Sequence, residues 1–409
     1  STGMDTTAVL LATALASCLG TLCMAFMANL PFALSAGMGL NAFMAYTVVA
    51  GYGYSWQVAL LAVFIEGLIF IVLSLTNIRE AIFNAIPLTL KKGVSVGIGL
   101  FIAFIGLQNS GLCVDSATLV GIISFPENFH TAGICALLTL IGLFFTAVFY
   151  TRKMKGAILY GILLTWILGM LCQVTGLYVP TPDAGFYSLF PSWGMTDFSK
   201  LGLTFGQCFN VDFSAVGIVN FIVVIFSFLF VDIFDTLGTL IGVATKAKML
   251  DKDGKLPGIK PALMADSIAT SAGAILGTST TTTFVESASG VAVGGLTALV
   301  TGILFLVSTL FAPIFTAIPS FATAPALIMV GFLMVGTVTE INFDLDNLTE
   351  SIPAYLAIIA MPLFYSISEG ISLGVISYVL LNVAAGKGKK VAPLMYVLAV
   401  LFVLKYIFL

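Results

Sequence analysis

Apolar stretches of about 20 residues follow one another along most of this chain, and each is long enough for one helix to cross a bilayer. Charged residues make up only 9% of the 409 residues, and hydrophobic residues make up 59%. Because a soluble domain carries about 25% charged residues, this composition excludes a protein surrounded by water. A helix satisfies its own backbone hydrogen bonds in lipid, so we predict an all-α polytopic membrane protein.

The apolar stretches predict membrane segments at 6–30, 56–77, 93–108, 133–150, 156–176, 216–245, 261–277, 294–312, 323–339, 353–366, 369–385 and 391–409. Two further segments, 31–50 and 278–293, are apolar but are interrupted by Gly, Ser and Thr residues. With these two, the sequence predicts about fourteen segments.

Basic residues cluster in four places between the predicted segments, at 79–92, 152–155, 245–260 and 386–390. The positive-inside rule places all four clusters in the cytoplasm, since an even number of crossings separates each from the next. Three crossings precede the first cluster, which puts Ser1 outside the cell. We therefore expect one further helix to precede this sequence in the natural protein.

The sequence contains an internal repeat. Ile82–Pro87 (IFNAIP) resembles Ile314–Pro319 (IFTAIP) at an offset of 314 − 82 = 232 residues, and Gly99 then aligns with Gly331 without a gap. The first copy lies on the basic side, whereas the second follows an outward crossing and has no charge nearby. Two copies that run in opposite directions are typical of the inverted repeats of secondary transporters.

Two segments, LPFALSAGMGLNAFMAY (30–46) and GTSTTTTFVESASGVAVGG (277–295), each predict an extended stretch followed by a short helix. The Ser/Thr run 278–283 is a poor helix start because most of its side chains are β-branched. Unwound backbone within a membrane is tolerated where it is buried in protein or lines a cavity. The two broken segments therefore predict the substrate site, with the amino-terminal end of each half-helix directed at it.

Acidic residues inside the predicted segments are few, and such residues generally serve a function. Asp232 and Asp235 lie on one helix face because their spacing is i, i+3, and Glu286 begins the second half-helix. Asp266 and Glu66 lie inside two other segments, where a coupling role and a structural pairing fit equally well. We expect no Lys or Arg in the membrane to act as a fixed partner, which argues against a purely structural ion pair.

A carboxylate at the substrate site accepts hydrogen bonds from the N–H groups of a heterocycle, and burial favours the protonated form of a carboxyl group. Two such groups that face one cavity titrate as a pair, which is the chemistry of a proton symporter. Asn41, on the first half-helix, offers an amide to a purine edge, and a helix-packing hydrogen bond is its alternative role. Phe284 and Phe43 offer aromatic faces on which a flat ring stacks.

The stretches SAGMGLNAFMAY, VDIFDTLGTLIGVA and GTSTTTTFVESASGVAVGG, in this order, resemble the AzgA-like branch of the nucleobase:cation symporters. Members of this branch are hypoxanthine, adenine and guanine permeases. The resemblance extends from about residue 5 to the carboxyl terminus. It departs from the family pattern in two places, since the family's first helix is missing and Gly294-Gly295 leads into Leu296 without the family's Arg-Thr-Gly insertion.

The resemblance implies a fold of fourteen helices in two inverted seven-helix repeats, of which the first helix is absent from this sequence. It implies a core domain at 1–77 and 216–312 and a gate domain at 78–215 and 313–409. The core is expected to move against the gate as an elevator, and the gate is expected to form a homodimer.

The residues and the resemblance together indicate a set of site residues. The predicted substrate contacts are Asn41, Asp232, Asp235, Phe284, Val285, Glu286 and Ser287. The predicted proton-coupling residues are Asp232, Asp235, Glu286 and Asp266. The sequence leaves both H⁺ and Na⁺ open as the coupling ion, and we expect H⁺.

Other functions fit the sequence less well. A transporter of the same fold for uracil or xanthine, or for an anion such as sulfate or bicarbonate, is the alternative, although Glu286 facing Asp232 and Asp235 would repel an anion. A channel needs a continuous polar pore, whereas the polar residues of this chain cluster at one depth. An enzyme is disfavoured because the sequence has no HExxH motif and a single histidine, His130.

We therefore predict a multi-pass protein of the plasma or inner membrane that imports purine nucleobases by proton symport. Its expected partners are the purine, H⁺, the lipid bilayer and a second copy of the chain. The net charge of -3 gives no indication of nucleic-acid binding, and we expect no metal ion or cofactor.

Overall fold

A computed structural model describes residues 2–37, 40–41, 43–117, 119–212, 216–284, 286–292 and 298–408. Val285 and residues 293–297, where the sequence departs from the family pattern, lie outside the described residues. The described chain is mostly helical, and 8 of its helices are long and apolar enough to cross a membrane. These are Thr6–Ala28, Trp56–Leu75, Leu88–Asn109, Phe125–Thr151, Ala157–Val174, Phe221–Lys246, Ser320–Glu340 and Ile367–Ala384.

The helices and strands are numbered in chain order. The helices are α1 (Thr6–Cys23), α2 (Trp56–Leu75), α3 (Ile78–Ala85), α4 (Leu88–Asn109), α5 (Phe125–Asn128), α6 (Ile134–Thr151), α7 (Ala157–Val174), α8 (Ile218–Lys246), α9 (Ile259–Leu276), α10 (Ser287–Ala292), α11 (Ala298–Leu310), α12 (Ala312–Phe315), α13 (Ser320–Val335), α14 (Leu348–Leu363), α15 (Ile367–Ala384) and α16 (Pro393–Phe408). The strands are β1 (Leu34–Ala36), β2 (Cys113–Ser116), β3 (Leu119–Ile122) and β4 (Thr281–Thr283). Helix α1 continues as a π-helix over Met24–Ala28, and a second π-helix covers Phe43–Gly51.

The prediction of a helical, polytopic membrane protein is confirmed, because nearly every predicted segment coincides with a helix. Some boundaries shift by several residues; for example, α4 begins at Leu88 rather than at residue 93, and α14 begins at Leu348 rather than at residue 353. The all-α description needs a correction, since the described residues also contain two sheets of two strands each. One of them, the β2–β3 hairpin, lies in a connection to which the sequence assigned no structure.

The chain divides into two compact units. Unit 1 contains Ser1–Ile98, Asp197–Leu310 and Gly336–Leu409, and unit 2 contains Gly99–Thr196 and Phe311–Val335. The predicted core and gate domains concern the parts that move during transport, and they stay a prediction.

Helices α1, α2 and α9 form the centre of unit 1, where α9 packs along both α1 and α2. Small residues make the close approach of α2 and α9 possible. A Cβ atom at Gly67 of α2 would lie only 2.8 Å from the backbone nitrogen of Ser271 in α9. A Cβ atom at Gly20 of α1 would lie 2.6 Å from the Cβ atom of Ala269. These contacts bring the side chains of three helices to one depth in the unit.

The strands β1 and β4 cross each other inside unit 1 as an antiparallel pair, with Ser35 opposite Thr282. Two further backbone hydrogen bonds extend the pair, from the Gly37 nitrogen to the Thr280 oxygen (3.2 Å) and from the Phe284 nitrogen to the Ala33 oxygen (2.8 Å). The pairing satisfies backbone groups that would otherwise be unpaired within the membrane. The predicted extended stretches in both broken segments are thereby confirmed, and α10 follows β4 as the predicted short helix.

Unit 2 is built around α6, α7 and α13, which pack against one another, and around the second half of α4. The backbones of α4 and α13 approach closely at Gly99 and Gly331. A Cβ atom at Gly99 would lie 2.8 Å from the Gly331 oxygen, and a Cβ atom at Gly331 would lie 3.0 Å from the Ala103 nitrogen. The two glycines that the internal repeat makes equivalent are therefore in direct contact.

The outer faces of several helices are apolar. In α7, the exposed side chains include Leu159, Leu163, Ile167 and Leu171, which recur at every fourth position. A stripe with this period covers one face of a helix, and exposed apolar stripes of this size indicate contact with lipid.

Candidate functional site

The candidate site lies in unit 1 at the crossing of β1 and β4. All six side chains of the Ser/Thr run 278–283 are buried there, and most of their hydroxyl groups bond to other elements of the unit. The hydroxyl partners are Thr13 for Thr278, Asn41 for Ser279, Glu66 for Thr280 and Asp266 for Thr282. The run therefore joins the crossing to acidic and polar side chains from α1, α2 and α9.

Asp266 fixes the β4 strand in place. Its Oδ1 atom accepts hydrogen bonds from the Thr282 hydroxyl (3.0 Å) and from the Thr283 backbone nitrogen (3.1 Å). Its Oδ2 atom accepts one from the Arg79 guanidinium at 2.9 Å. Both oxygens of this fully buried carboxylate are therefore occupied by donors of the chain.

Arg79 is a buried partner that the sequence analysis did not anticipate. It lies in α3, is fully buried together with Asp266, and also donates to the Leu263 oxygen (3.1 Å) and the Ser267 hydroxyl (2.9 Å). Its guanidinium stacks over the Phe70 ring at 4.2 Å from the ring centre. The expectation that no basic residue pairs with the buried acids was wrong, because the short helix α3 turns this residue of a basic cluster back into unit 1.

Glu66 and Asp232 form a second acidic group at the crossing, and both are fully buried. The Glu66 Oε2 atom accepts from the Thr280 hydroxyl (3.2 Å), and the Asp232 Oδ1 atom accepts from the Thr236 hydroxyl (3.0 Å). Thr236 also lies 2.5 Å from the Thr282 hydroxyl, so it connects α8 to the crossing. The two carboxyl groups are direct neighbours of each other.

Asp235 and Glu286 form a third group, which is less deeply buried than Glu66 and Asp232. The two carboxyl groups interact electrostatically, and Glu286 also accepts from its own backbone nitrogen. The Asp235 Oδ2 atom lies 3.5 Å from the position that a Cβ atom on Gly37 would occupy. The Thr282 Cγ2 atom would lie 3.1 Å and the Leu40 Cδ1 atom 3.4 Å from the same position, so Gly37 allows the end of β1 to pack closely against β4 and α8.

The residues around Glu286 are held by β1. The Ser287 hydroxyl accepts a hydrogen bond from the Ala33 nitrogen (2.9 Å), and the Ser287 nitrogen donates to the Phe284 oxygen (3.1 Å). The Phe284 nitrogen donates to Ala33, as described above for the crossing. The polar groups of Ser287 are thus used to fix the turn that carries Glu286. Val285, the remaining predicted contact of this turn, lies outside the described residues.

Asn41 lies at the other end of the crossing, on the chain that leaves β1. Its side chain is exposed, and its Oδ1 atom accepts a hydrogen bond from the Ser279 hydroxyl. This bond orients the Asn41 amide group toward the part of the Ser/Thr run that precedes β4. Phe43 packs edge-on against Phe228 of α8 with 4.9 Å between ring centres, which gives it a place in the apolar core of the unit.

The structure therefore brings Asn41, Asp232, Asp235, Asp266 and Glu286 to one crossing in unit 1. Sequence reasoning missed Arg79, which pairs with Asp266, and Thr236, whose hydroxyl lies within hydrogen-bonding distance of both Asp232 and Asp266. A usable signal was present only for Thr236, because it stands four residues after Asp232 and therefore lies on the same face of a helix. The described residues contain no group of His, Cys, Asp or Glu arranged to hold a metal ion.

Unit 2 contains a separate cavity of about 380 Å³. Among the residues that line it are Gln108, Tyr178, Ser188 and Thr316. None of its described lining residues carries a charge, in contrast to the crossing in unit 1. A site that exchanges protons is therefore better placed at the crossing.

Comparisons with known proteins identify related permeases. Residues 2–404 match the model of a permease family. The guanine/hypoxanthine permease PbuG of Bacillus subtilis is 47% identical, over 99% of this chain and 88% of that protein. The adenine permease AdeP of Escherichia coli is 38% identical, over 99% of this chain and 86% of that protein.

A solved structure shares the fold at much lower sequence similarity. The murine anion transporter Slc26a9 (Solute Carrier 26 family member A9), in its inward-facing state, matches with a TM-score of 0.50 and 12% identity. The match covers 93% of this chain and 65% of that chain. It supports the same type of helical fold and says nothing about the substrate.

The buried ion pair of Arg79 and Asp266 predicts a large effect when one partner is removed. We expect Arg79→Met to lower the free energy of unfolding by about 3–5 kcal/mol, because it leaves Asp266 charged and unpaired in the interior. Thermal unfolding of the purified protein in detergent measures this loss. Arg152→Met, which replaces an exposed arginine, is the matched control and should change stability by about 0.5 kcal/mol or less.

A second variant separates the ion pair from the packing of Arg79. Asp266→Asn removes the charge but keeps an oxygen for Thr282 and Thr283. The double variant Arg79→Met, Asp266→Asn should therefore be more stable than Arg79→Met alone. An equal or greater loss in the double variant would show that the pair contributes nothing beyond the shape of its side chains.

Proposed function

The chain belongs to the permease family, and from this premise we propose that it imports purine nucleobases together with a proton. It is a multi-pass membrane protein and a transporter rather than an enzyme. The resemblance to the purine permeases of the nucleobase:cation symporters is confirmed by relatives over nearly the whole chain. The substrate, the coupling ion and the movement are the parts that we propose.

The observation that carries the proposal is the electrostatic contact of Asp235 with Glu286 at the crossing, with Asp235 next to Gly37. A purine presents ring N–H groups and, in adenine and guanine, an exocyclic amine, and carboxylates accept hydrogen bonds from such donors. In our proposal, Glu286 and Asp235 bind these donors, while the Asn41 amide binds another edge of the ring. Phe284 provides an aromatic face, and Ser287 positions Glu286 through its bond to Ala33.

The same acids set our proposal apart from the alternatives. An anion entering beside Asp235 and Glu286 would meet charges of its own sign, so sulfate and bicarbonate are disfavoured despite the shared fold with Slc26a9. Uracil and xanthine present similar N–H groups, so the acids do not separate them from the other nucleobases. The preference that we propose rests on the similarity to a guanine/hypoxanthine permease and an adenine permease. We assign guanine, hypoxanthine and adenine as the substrate class.

Proton coupling is proposed because several carboxyl groups share a small buried volume. Two negative charges at close range do not both persist in a low-dielectric site, so such a group binds and releases protons readily. Asp232, Asp235 and Glu286 are the candidates with direct electrostatic contact to another acid. Asp266 is in the same cluster, but its ion pair with Arg79 makes it a brace for β4 rather than a carrier.

We infer that the fold of fourteen helices consists of two inverted repeats, and that the two repeats allow the site to move. Two observations support the inverted repeat. Under the offset of the repeat, Gly99 corresponds to Gly331 and Ala103 corresponds to Val335, and a Cβ atom at each glycine would meet the other helix at the corresponding position. Mutual contacts of this kind are what a twofold axis produces. The antiparallel pairing of β1 with β4, one from each half, has the same symmetry.

We propose that the core domain, 1–77 and 216–312, carries the purine against the gate domain, 78–215 and 313–409, in an elevator movement, and that α3 moves with the core because Arg79 pairs with Asp266. A homodimer formed through the gate would hold the gate still in the bilayer. In this scheme the proton lowers the charge of the loaded core before it crosses the membrane, and its release inside returns the site to a state with lower affinity for the purine.

Ligand-dependent stability tests the binding site. Hypoxanthine, guanine or adenine should raise the thermal midpoint of the purified protein, because a ligand that binds the folded state stabilises it by mass action. Glu286→Ala and Asp235→Asn should each weaken purine binding at least about tenfold, since each removes a charge-assisted hydrogen bond of about 1.5–3 kcal/mol. Glu340→Ala, which replaces an exposed acid outside the site, is the control. A shift produced by sulfate or uracil alone, or unchanged shifts in both site variants, would refute the assignment.

Transport into proteoliposomes tests the coupling ion. Uptake of hypoxanthine should rise when the outside is made more acidic than the inside, and a protonophore should abolish this rise. One coupled proton supports accumulation of up to about tenfold for each pH unit of gradient, because one unit corresponds to 1.36 kcal/mol. Accumulation that follows a Na⁺ gradient and ignores the pH gradient would contradict proton symport.

A further inference from the structure

One oxygen on each of Glu66 and Asp232 lacks a hydrogen-bond donor, although both carboxyl groups are fully buried. The Glu66 Oε2 atom and the Asp232 Oδ1 atom are bound by threonine hydroxyl groups, as described above. The Oε1 atom of Glu66 and the Oδ2 atom of Asp232 are the pair left over. Buried polar atoms are rarely left in this state, so these two need an explanation.

The charges around the pair do not supply a donor. Arg79 is the cation that interacts with Asp232; its Nη1 and Nη2 atoms donate to Asp266, Leu263 and Ser267, and its Nε atom has no hydrogen-bond partner. The other charged groups that face the pair are acidic, namely Asp266 from α9 and Asp235 from the same helix as Asp232. The positive charge of Arg79 balances the negative charge of Asp266. Among the described residues, no cation is left to balance the charges of Glu66 and Asp232.

Two ionised carboxylates in contact would repel each other in a medium of low dielectric constant. A single proton placed between them removes one charge and supplies the missing hydrogen bond to both leftover oxygens at once. Pairs of carboxyl groups that share one proton are a known solution to this arrangement. The two oxygens without a donor and the lack of a balancing cation among the described residues therefore lead to the same conclusion.

We propose that Glu66 and Asp232 share one proton, and that this proton is the one carried with the purine. This inference rests on the proposed function and adds Glu66, a residue outside the predicted coupling set, as half of the carrier. On the outward side the pair takes up a proton as an O–H bond to one carboxyl oxygen. On the inward side that bond breaks, and the proton leaves to water with no other change in covalent bonding.

Glu66 and Asp232 are connected to Asp235, one of the proposed purine contacts. Thr280 binds Glu66 through its hydroxyl, and its backbone oxygen accepts from the nitrogen of Gly37, which adjoins Asp235. Asp235 also follows Asp232 by three residues on the same face of α8. A purine bound to Asp235 thus alters the electrostatic environment of Asp232. It also acts on the segment whose Thr280 hydroxyl binds Glu66. Purine binding and proton binding would thereby favour each other.

The test compares Glu66→Gln and Asp232→Asn with the wild type in proteoliposomes. The glutamine keeps the shape of Glu66 and an oxygen for Thr280 but cannot exchange a proton. With an inward gradient of one pH unit, wild-type protein should accumulate hypoxanthine up to about tenfold. Glu66→Gln should bind hypoxanthine with a Kd within about threefold of wild type and should exchange it across the membrane, but its accumulation ratio should fall to about one. Ser74→Ala, a buried change on the same helix, is the matched control and should accumulate like the wild type.

The other outcomes refute either the shared proton or the proposed function. Accumulation by Glu66→Gln at the wild-type ratio overturns the shared proton but leaves the proposed function intact. Failure of the wild type to accumulate any purine under the gradient refutes the proposed function itself. If Glu66→Gln does not fold, infrared spectra of the wild type decide instead. The inference requires a protonated carboxyl C=O band at neutral pH that is lost in Asp232→Asn, and a wild-type spectrum without such a band overturns it.

Discussion

Backbone pairing between β1 and β4 is the interaction on which the rest of the site depends. Both segments leave the helical conformation inside a protein whose helices are long enough to span a bilayer, where unpaired backbone groups are costly. Each segment supplies the partners of the other, and the buried carboxylate of Asp266 adds bonds to Thr282 and Thr283. The acids from α2, α8 and α9 then gather around the crossing because its threonine hydroxyl groups bind them.

The hydropathy of the sequence was sufficient to predict the helices, and the run of threonines was sufficient to predict where the helical pattern breaks. Both signals are local, because each depends on the residues of one segment and not on its tertiary contacts. The pairing of Arg79 with Asp266 was not predictable, because the positive-inside rule treats a basic residue between two spans as exposed. The division of the acids into groups was equally hidden, since it depends on which threonine each one meets. The β2–β3 hairpin was missed because its strands have only four residues each, too few to show a clear alternating pattern.

The three acidic groups at the crossing differ in what surrounds them, and this suggests a division of work. Asp266 has both oxygens occupied and is balanced by Arg79, which suits a structural brace. Glu66 and Asp232 are fully buried and each retains an oxygen without a donor, which suits the holding of a proton. Asp235 and Glu286 are less buried than the other acids of the crossing, which suits contact with a substrate. Within one cluster, separate acids can therefore stabilise the fold, carry the proton and bind the purine.

The most direct test of this account is an experimental structure of the protein with hypoxanthine bound. The account places the purine at the crossing of β1 and β4, with its N–H groups within hydrogen-bonding distance of Glu286 and Asp235 and with Asp266 still paired to Arg79. A purine found instead in the uncharged cavity of unit 2, beside Gln108 and Tyr178, would contradict the account. The acids of the crossing would then have a structural role, and the coupling of transport to protons would need another explanation.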